Sequence, residues 1–343
     1  MKTNHSMKSR ERVVRAIAHD YPDRPPISHA ILPSAILKHG QALQDILKDV
    51  HEDFGWDLLP DLKPENYPPY YRKGRSYDGF GTLWESSENG EYGVPIELPL
   101  ADWANYDAYR WPDFEVKPAT ARMYSGHMSG RHDDYYARGA WIQYFEEMQQ
   151  LCGFENLLAD IAGGEPMVFR LLDDMLQFNL GMLDKWLAHE YQGLHFADDW
   201  GTQQGLIISP EMWRKHFKPA YKAMFDKVIA AGMDVHFHSD GMILEIIPDL
   251  IELGVKVINC QGNIMGNEVI GKRFGDRLCF RTDLDRQKVL TYGTPAQVRT
   301  HIHELFHALG SEKGGIIACG EVGSDTPIDN IKAMYETFMT FQF

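Results

Sequence analysis

Apolar residues in this chain fall into two alternating patterns. Short continuous runs alternate with longer stretches in which apolar positions recur every three or four residues. The runs Ala140–Phe145, Leu194–Ala197, Val235–His238, Val255–Asn259, Leu278–Arg281 and Gly315–Ala318 predict buried strands. The stretches between them predict helices. Glu165-Pro166 opens a helix that ends near Gly193, and Ser209-Pro210-Glu211 opens one that runs to Ala231-Gly232. Ile243–Leu253, closed by Gly254, and Asn267–Phe274 are the next two; Thr294-Pro295 starts one that Gly310 ends, and Thr326-Pro327 starts the last. Ser or Thr caps the first turn, Pro suits its fixed φ, and Gly suits the far end. Strand and helix alternate over two thirds of the chain with short links, which predicts a parallel sheet with crossover helices.

The N-terminal third differs. Residues 8–19 place Val13, Val14, Ala16 and Ile17 among charges, an amphipathic helix stopped by Pro22, Pro25 and Pro26. Residues 60–115 are rich in Pro, Gly, Tyr and Trp and have little periodicity. Asp78–Trp84 and Tyr92–Ile96 predict hairpin-like strands there. The segment 60–130 is expected to be an irregular insertion covering a binding site, with Trp84, Tyr92, Trp103, Tyr106 and Trp111 folding it or lining a pocket.

The polar residues gather at strand ends: Asp198, Asp199, His238, Asp240, Gln261, Asp283 and Glu321. Polar ends on five successive strands suit one ring of βα loops, and no Gly-x-Gly-x-x-Gly follows an early strand. The expected fold is a single α/β domain over residues 1–343, a (β/α)8 TIM barrel.

Composition narrows the function. With 343 residues, 44% of them hydrophobic, the chain can bury a large core. A formal charge of −15 makes nucleic acid and anionic membrane surfaces poor partners. Cys152, Cys260, Cys279 and Cys319 show no paired spacing, which suits reduced thiols in a cytoplasm. The polar start reads as no signal peptide, and no apolar run is long enough to span a bilayer.

The chemistry concentrates in His238-Ser239-Asp240-Gly241 and Cys319, which end two predicted strands on the same rim. Imidazole, carboxylate and thiolate converging there make a candidate metal site with an open position. His236 shares a strand face with His238 and is either a fourth ligand or a packed barrel histidine. Asp198 and Asp199 are either an acid–base pair or a loop cap. Glu321 reaches the mouth or forms a loop-side salt bridge. Glu146-Glu147 follow the first of these strands and offer one more carboxylate, or only a solvated pair. His301, His303 and His307 on one helix read as a solvated surface, and Cys152, Cys260 and Cys279 as packing residues.

Several segments resemble the uroporphyrinogen decarboxylase superfamily. They are Ser9-Arg10-Glu11-Arg12-Val13, Pro22-Asp23-Arg24-Pro25-Pro26, Phe196-Ala197-Asp198-Asp199-Trp200-Gly201, Ile208-Ser209-Pro210-Glu211-Met212-Trp213 and Cys319-Gly320-Glu321. The resemblance implies a (β/α)8 barrel with its site at the C-terminal mouth. The decarboxylases of that superfamily carry arginines after the first strand. Here that place reads Ser28-His29-Ala30-Ile31-Leu32-Pro33-Ser34, which offers a polyacidic tetrapyrrole little positive charge.

The other branch is the corrinoid-dependent methyltransferases, including the methylcobamide:coenzyme M enzymes with a His-x-Cys zinc motif and a distant Cys. Aligned on Gly241, this chain has His238 and Cys319 but Asp240 in place of the first Cys. The resemblance therefore carries over His238 and Cys319 as zinc ligands, with Asp240 or a nearby carboxylate such as Glu321 completing the set; strand alternation adds His236 as a candidate fourth. Asp in place of thiolate makes the site harder and suits an oxygen donor. The implied reaction is O-demethylation of a methylated small molecule, most naturally an O-methyl aromatic, with the methyl group passing to a cobalt(I) corrinoid (cobalamin) on a partner protein. Asp198, Asp199, Asp240 and Glu321 are the candidate catalytic carboxylates. Transfer from the corrinoid to a thiol is the alternative, and a non-catalytic subunit of a corrinoid complex the third reading.

Overall fold

The computed structural model describes residues 7–55, 67–116 and 134–343. The strands are β1 Ala30–Ile31, β2 Gly74–Tyr77, β3 Leu83–Ser86, β4 Val94–Glu97, β5 Arg138–Ile142, β6 Gly193–Ala197, β7 Asp234–Ser239, β8 Val255–Cys260, β9 Cys279–Arg281, β10 Ile316–Ile317 and β11 Glu321–Val322. The order β10-β9-β8-β7-β6-β5 makes one parallel sheet, and β1 pairs with β11, also in parallel. Backbone hydrogen bonds carry the ring onward. Ala318 N–H donates to Pro26 O at 2.7 Å and Ser28 N–H to Ala318 O at 2.9 Å. Asp53 N–H then donates to Ile27 O at 2.9 Å, and Tyr136 N–H to Asp53 O at 3.1 Å. The short segment at Asp53 thus bridges the first and third strands of an eight-membered barrel. Helices such as Pro166–Leu187 and Pro295–Leu309 connect the strands, and no described helix is long and apolar enough to cross a membrane.

Local side-chain caps start several of the helices. Ser209 Oγ accepts from Met212 N–H, and Thr294 forms a reciprocal capping box with Gln297. The first half of the N-terminal motif has a structural explanation. The Asp53 carboxylate, fully buried, accepts from Arg12 Nη1 at 2.6 Å, Arg24 Nη1 at 2.8 Å and Ile27 N–H at 2.8 Å. Arg12 also meets Asp23. This network ties the helix Ser9–Ala18 to the barrel's N-terminal end. There Val13 joins Phe54, Tyr136, Val257, Cys279 and Ile317 in an apolar plug.

One strand differs from its sequence reading. The apolar run ends as a strand at Ile142, and Phe145 begins the helix Phe145–Cys152. The cause is Asp198, whose carboxylate accepts from the Tyr144 and Glu146 N–H groups and so caps that helix from another strand. Ala140 sits at φ 63° where the β5–β6 register shifts. The resulting bulge leaves Trp141 nearly half exposed against His195 and His238.

The insertion forms the antiparallel sheet β2-β3-β4; residues 60–66 and 117–130 of its expected span lie outside the described residues. Asp78–Gly81, expected as strand, is the β2–β3 turn instead, held by the Asp78 carboxylate accepting from Phe80 and Thr82 N–H. The sheet's aromatics interlock: Tyr70, Trp84 and Tyr92 pack ring against ring. Part of the insertion clamps the outer helices, through Trp111 stacked on Phe178 and Tyr106 OH donating to Asp174. Another part reaches the rim. Gly90 packs against Pro33 and Ser34, and Ser324 Oγ donates to Glu91.

Candidate metal centre at the barrel mouth

Strands β6 and β7 end side by side, with Ala197 opposite His238. The loops that follow them touch at two glycines. A Cβ on Gly241 would lie 2.1 Å from the Gly201 carbonyl, and Gly241 itself has φ +83°. Only glycine allows both the approach and that backbone. Gly201 N–H donates to Asp240 O at 3.2 Å, Trp200 N–H to Ser239 Oγ at 3.0 Å and Asp240 N–H to Asp199 Oδ1 at 2.7 Å. The result is a cluster: ligand atoms of Asp199, His238 and Asp240 all lie within 4.8 Å of one another, the one such group among the described residues. His238 Nε2 is 3.5 Å from Asp199 Oδ1 and 3.7 Å from Asp240 Oδ1.

The imidazole's other nitrogen fixes its role. His238 Nδ1 lies 2.7 Å from Asn259 Oδ1, which also accepts from Arg281 Nη1 at 3.1 Å. Asn259 Nδ2 donates to Arg281 O at 2.8 Å, so the amide oxygen is the acceptor. His238 therefore carries its proton on Nδ1 and presents Nε2 to the carboxylates, the arrangement of a metal-bound histidine with an outer partner. Arg286 bridges Asp240 and Glu321, holding both carboxylates at the mouth. One nitrogen and two carboxylates, all partly open to solvent, fit a divalent ion such as zinc.

The remaining expected residues are distributed differently. Cys319 is not in the group. Its buried thiol sits beside Arg281 and Arg138, and its N–H donates to Thr282 Oγ1. His236 points into the barrel floor, where Nε2 lies 2.9 Å from the Tyr136 hydroxyl that donates to Asp234. Asp198 is 1% exposed, held by Tyr221 OH at 2.6 Å as well as the helix N–H groups, and burial lifts its carboxyl to about 7. Glu146 lies near Asp199 and Asp240. Burial, then those carboxylates, raise it to about 9, while Gln143 Nε2 donates to it. Glu147 is pushed well above the carboxylate range by burial under the insertion. His301 is not solvated as expected: its Nε2 accepts from Asp285 N–H, whereas His303 and His307 are exposed.

Reasoning from sequence missed Asn259, Arg286, Arg281 and Arg138. Asn259 and Arg281 had a signal, since both occupy inward positions near the ends of strands otherwise apolar.

The family model for uroporphyrinogen decarboxylase (URO-D) matches residues 145–341. The chain belongs to that family. The matched segment of this URO-D family chain holds Asp199, His238, Asp240, Arg286 and Cys319; Arg138, Trp141 and the insertion precede it. No curated protein matches the chain. Its fold is similar to that of a methyltransferase from Methanosarcina mazei, with a TM-score of 0.65, 10% identity, and 97% of this chain and 98% of that one covered. A Yersinia pestis DHPS solved with a pterine-sulfa conjugate overlaps 40% of this chain and 51% of its own at 17% identity. Its TM-score of 0.27 is too low to carry an argument.

Proposed function

We propose that this chain is a metal-dependent methyltransferase that takes a methyl group from an O-methyl aromatic ether and passes it to a cobalt(I) corrinoid carried by a partner protein. The observation that carries the reading is the Asp199–His238–Asp240 group. In the transfer the methyl–oxygen bond breaks, the carbon bonds to cobalt, and the oxygen leaves with the bonding pair. An unassisted phenolate is a poor leaving group, so the oxygen needs positive charge or a proton as the bond breaks. Zinc held by Asp199, His238 and Asp240 would supply Lewis acidity at such an oxygen.

This chain's own residues would do the rest. Asn259 holds the His238 tautomer, and Arg286 holds Asp240 in place. Glu146, whose carboxyl is raised by burial and by Asp199, Asp198 and Asp240, would serve as the proton donor to the departing oxygen. Trp141, nearly half exposed beside His195 and His238, would add an aromatic contact for a ligand at the mouth. We extend the reading to the insertion, whose rim contacts at Gly90 and Glu91 would place its described residues 67–116 as a roof over the ligand. Nitrogen and oxygen donors favour an ether oxygen over a thiol.

The test mixes the protein with a reduced corrinoid protein and panels of methoxylated aromatics, thiols and methylamines while following the cobalt spectrum. Methyl–cobalt formation with aryl methyl ethers, lost on metal removal, is expected. Formation only from methylated thiols or amines, or full ether activity in metal-free protein, would overturn the reading.

A further inference from the structure

Below the candidate metal group the barrel interior holds two arginines that form no ion pair among the described residues. Arg138 at the start of β5 is 6% exposed and Arg281 at the end of β9 is 8% exposed. Among the described residues neither has a carboxylate oxygen within 4 Å. Arg281 spends its donors on neutral acceptors: Asn259 Oδ1 at 3.1 Å, Ser28 Oγ at 3.4 Å and His29 O at 3.5 Å. Among the described residues the Arg138 guanidinium lies over the Phe54 ring, 5.4 Å from its centroid, and beside the Cys319 thiol, and its buried Nη1 has no hydrogen-bond partner. The histidine beside them offers no compensation. His236 is held neutral, pushed down by burial and by the two arginines. Burial and Arg281 likewise bring Arg138 down to about 9. Two carboxylates lie nearby: Glu52, engaged by Phe54 N–H, and the buried Asp283, which burial pushes up while Arg281 pulls it down.

A buried guanidinium without a carboxylate partner is costly to the fold. A chain with net charge −15 has carboxylates in excess, yet among the described residues Glu52 and Asp283 act on the two arginines only from beyond ion-pair distance. Arg281 also lies next to the mouth group, because Arg281 and His238 share the Asn259 amide oxygen.

We propose that Arg138 and Arg281 form an anion pocket beneath the metal group that takes the carboxylate of an aromatic ligand. The planar fork of donors on each guanidinium matches a carboxylate. A ligand so anchored has its ring beside Trp141 and its substituents directed at Asp199, His238 and Asp240. The inference rests on the reading that the mouth admits a small organic ligand. It does not require methyl transfer.

Isothermal titration calorimetry on the intact protein tests it with benzoate, 3-methoxybenzoate, the two matching benzyl alcohols and acetate. The expected result is at least tenfold tighter binding of each benzoate than of its alcohol, with acetate weak. Arg138→Met and Arg281→Gln should each lose at least tenfold of benzoate affinity. Arg138→Met should also raise the ligand-free melting temperature, since it removes an unpaired buried charge, whereas a purely structural arginine would lower it. If Arg281→Gln does not fold, Arg138→Met and Arg281→Lys carry the comparison. Equal affinity for benzoate and benzyl alcohol overturns the proposal, as does unchanged benzoate binding in folded arginine variants. Acetate binding as tight as benzoate overturns the aromatic part. Strong thiolate absorbance at neutral pH, lost in Cys319→Ser, would make the thiol the arginines' partner and overturn the pocket. Benzoate selectivity without methyl transfer would support the pocket while rejecting the catalytic reading; methyl transfer without selectivity would do the reverse.

Discussion

At the scale of single residues, the metal group separates side chains that resemblance alone treats alike. His238 and Asp240 face one another across 3.7 Å, with Asp199 as third member, while Cys319 lies beside the arginines. Each member of a three-ligand group is needed for tight binding. His238→Ala and Asp240→Asn are therefore expected to leave purified protein with little zinc, and Cys319→Ser to keep close to one ion per chain. Elemental analysis after dialysis against a weak chelator reads both. Zinc lost from Cys319→Ser and retained in Asp240→Asn would return the site to a thiolate ligand set. Asp199 entered the sequence reading as a catalytic carboxylate and not as a ligand. Its adjacency to His238 depends on which strands are neighbours, and spacing along the chain does not record that.

At the scale of elements, carboxylates set element boundaries from a distance. Asp198 on the loop after β6 caps the helix Phe145–Cys152, and Asp53 anchors the N-terminal helix through Arg12 and Arg24. Asp53 is fully buried and serves two cations, so removing its charge leaves both guanidinium groups uncompensated. Asp53→Asn is expected to destabilise the protein by about 3–5 kcal/mol, the usual result of breaking a buried ion pair from one side. Urea unfolding followed by circular dichroism measures this; a loss below about 1 kcal/mol would mean that the network contributes little beyond an exposed pair.

At the scale of the whole molecule, burial holds protons on several acids around the mouth. Asp283 is raised to about 6, Asp198 to about 7 and Glu146 to about 9, each first by burial. The unfolded chain releases these protons near pH 4, so between roughly pH 4 and 9 the folded state binds more protons than the unfolded state. Stability is then fully present below the unfolded values and lost as pH rises through the folded ones. Metal-free protein should melt at progressively lower temperature from pH 5 to 9. Glu146→Gln, neutral throughout, should flatten the upper part of that decline. Scanning calorimetry at matched ionic strength decides it; a melting temperature that rises over this range would refute the assignment.

The chain's periodicity determined the βα succession, because a strand buried on both faces needs a continuous apolar run and a crossover helix needs a 3.6-residue repeat. The caps at Ser209 and Thr294 were equally legible, since their hydrogen bonds are local, whereas Thr326 makes no such cap and the last helix starts after Pro327. The cluster of polar strand ends was legible too, although Asp198 turns away to cap a helix while Asp199, His238 and Asp240 converge. Tertiary structure alone decided the rest. It moved the end of β5, because the capping carboxylate comes from 54 residues away in sequence. It placed Asp199 with His238, because Gly201 and Gly241 let two loops touch. It also gathered Arg138 and Arg281 from separate strands into one buried layer. Local pattern records which face a residue occupies; which residues share a layer follows from strand order, register and close approach, and only the folded barrel fixes those.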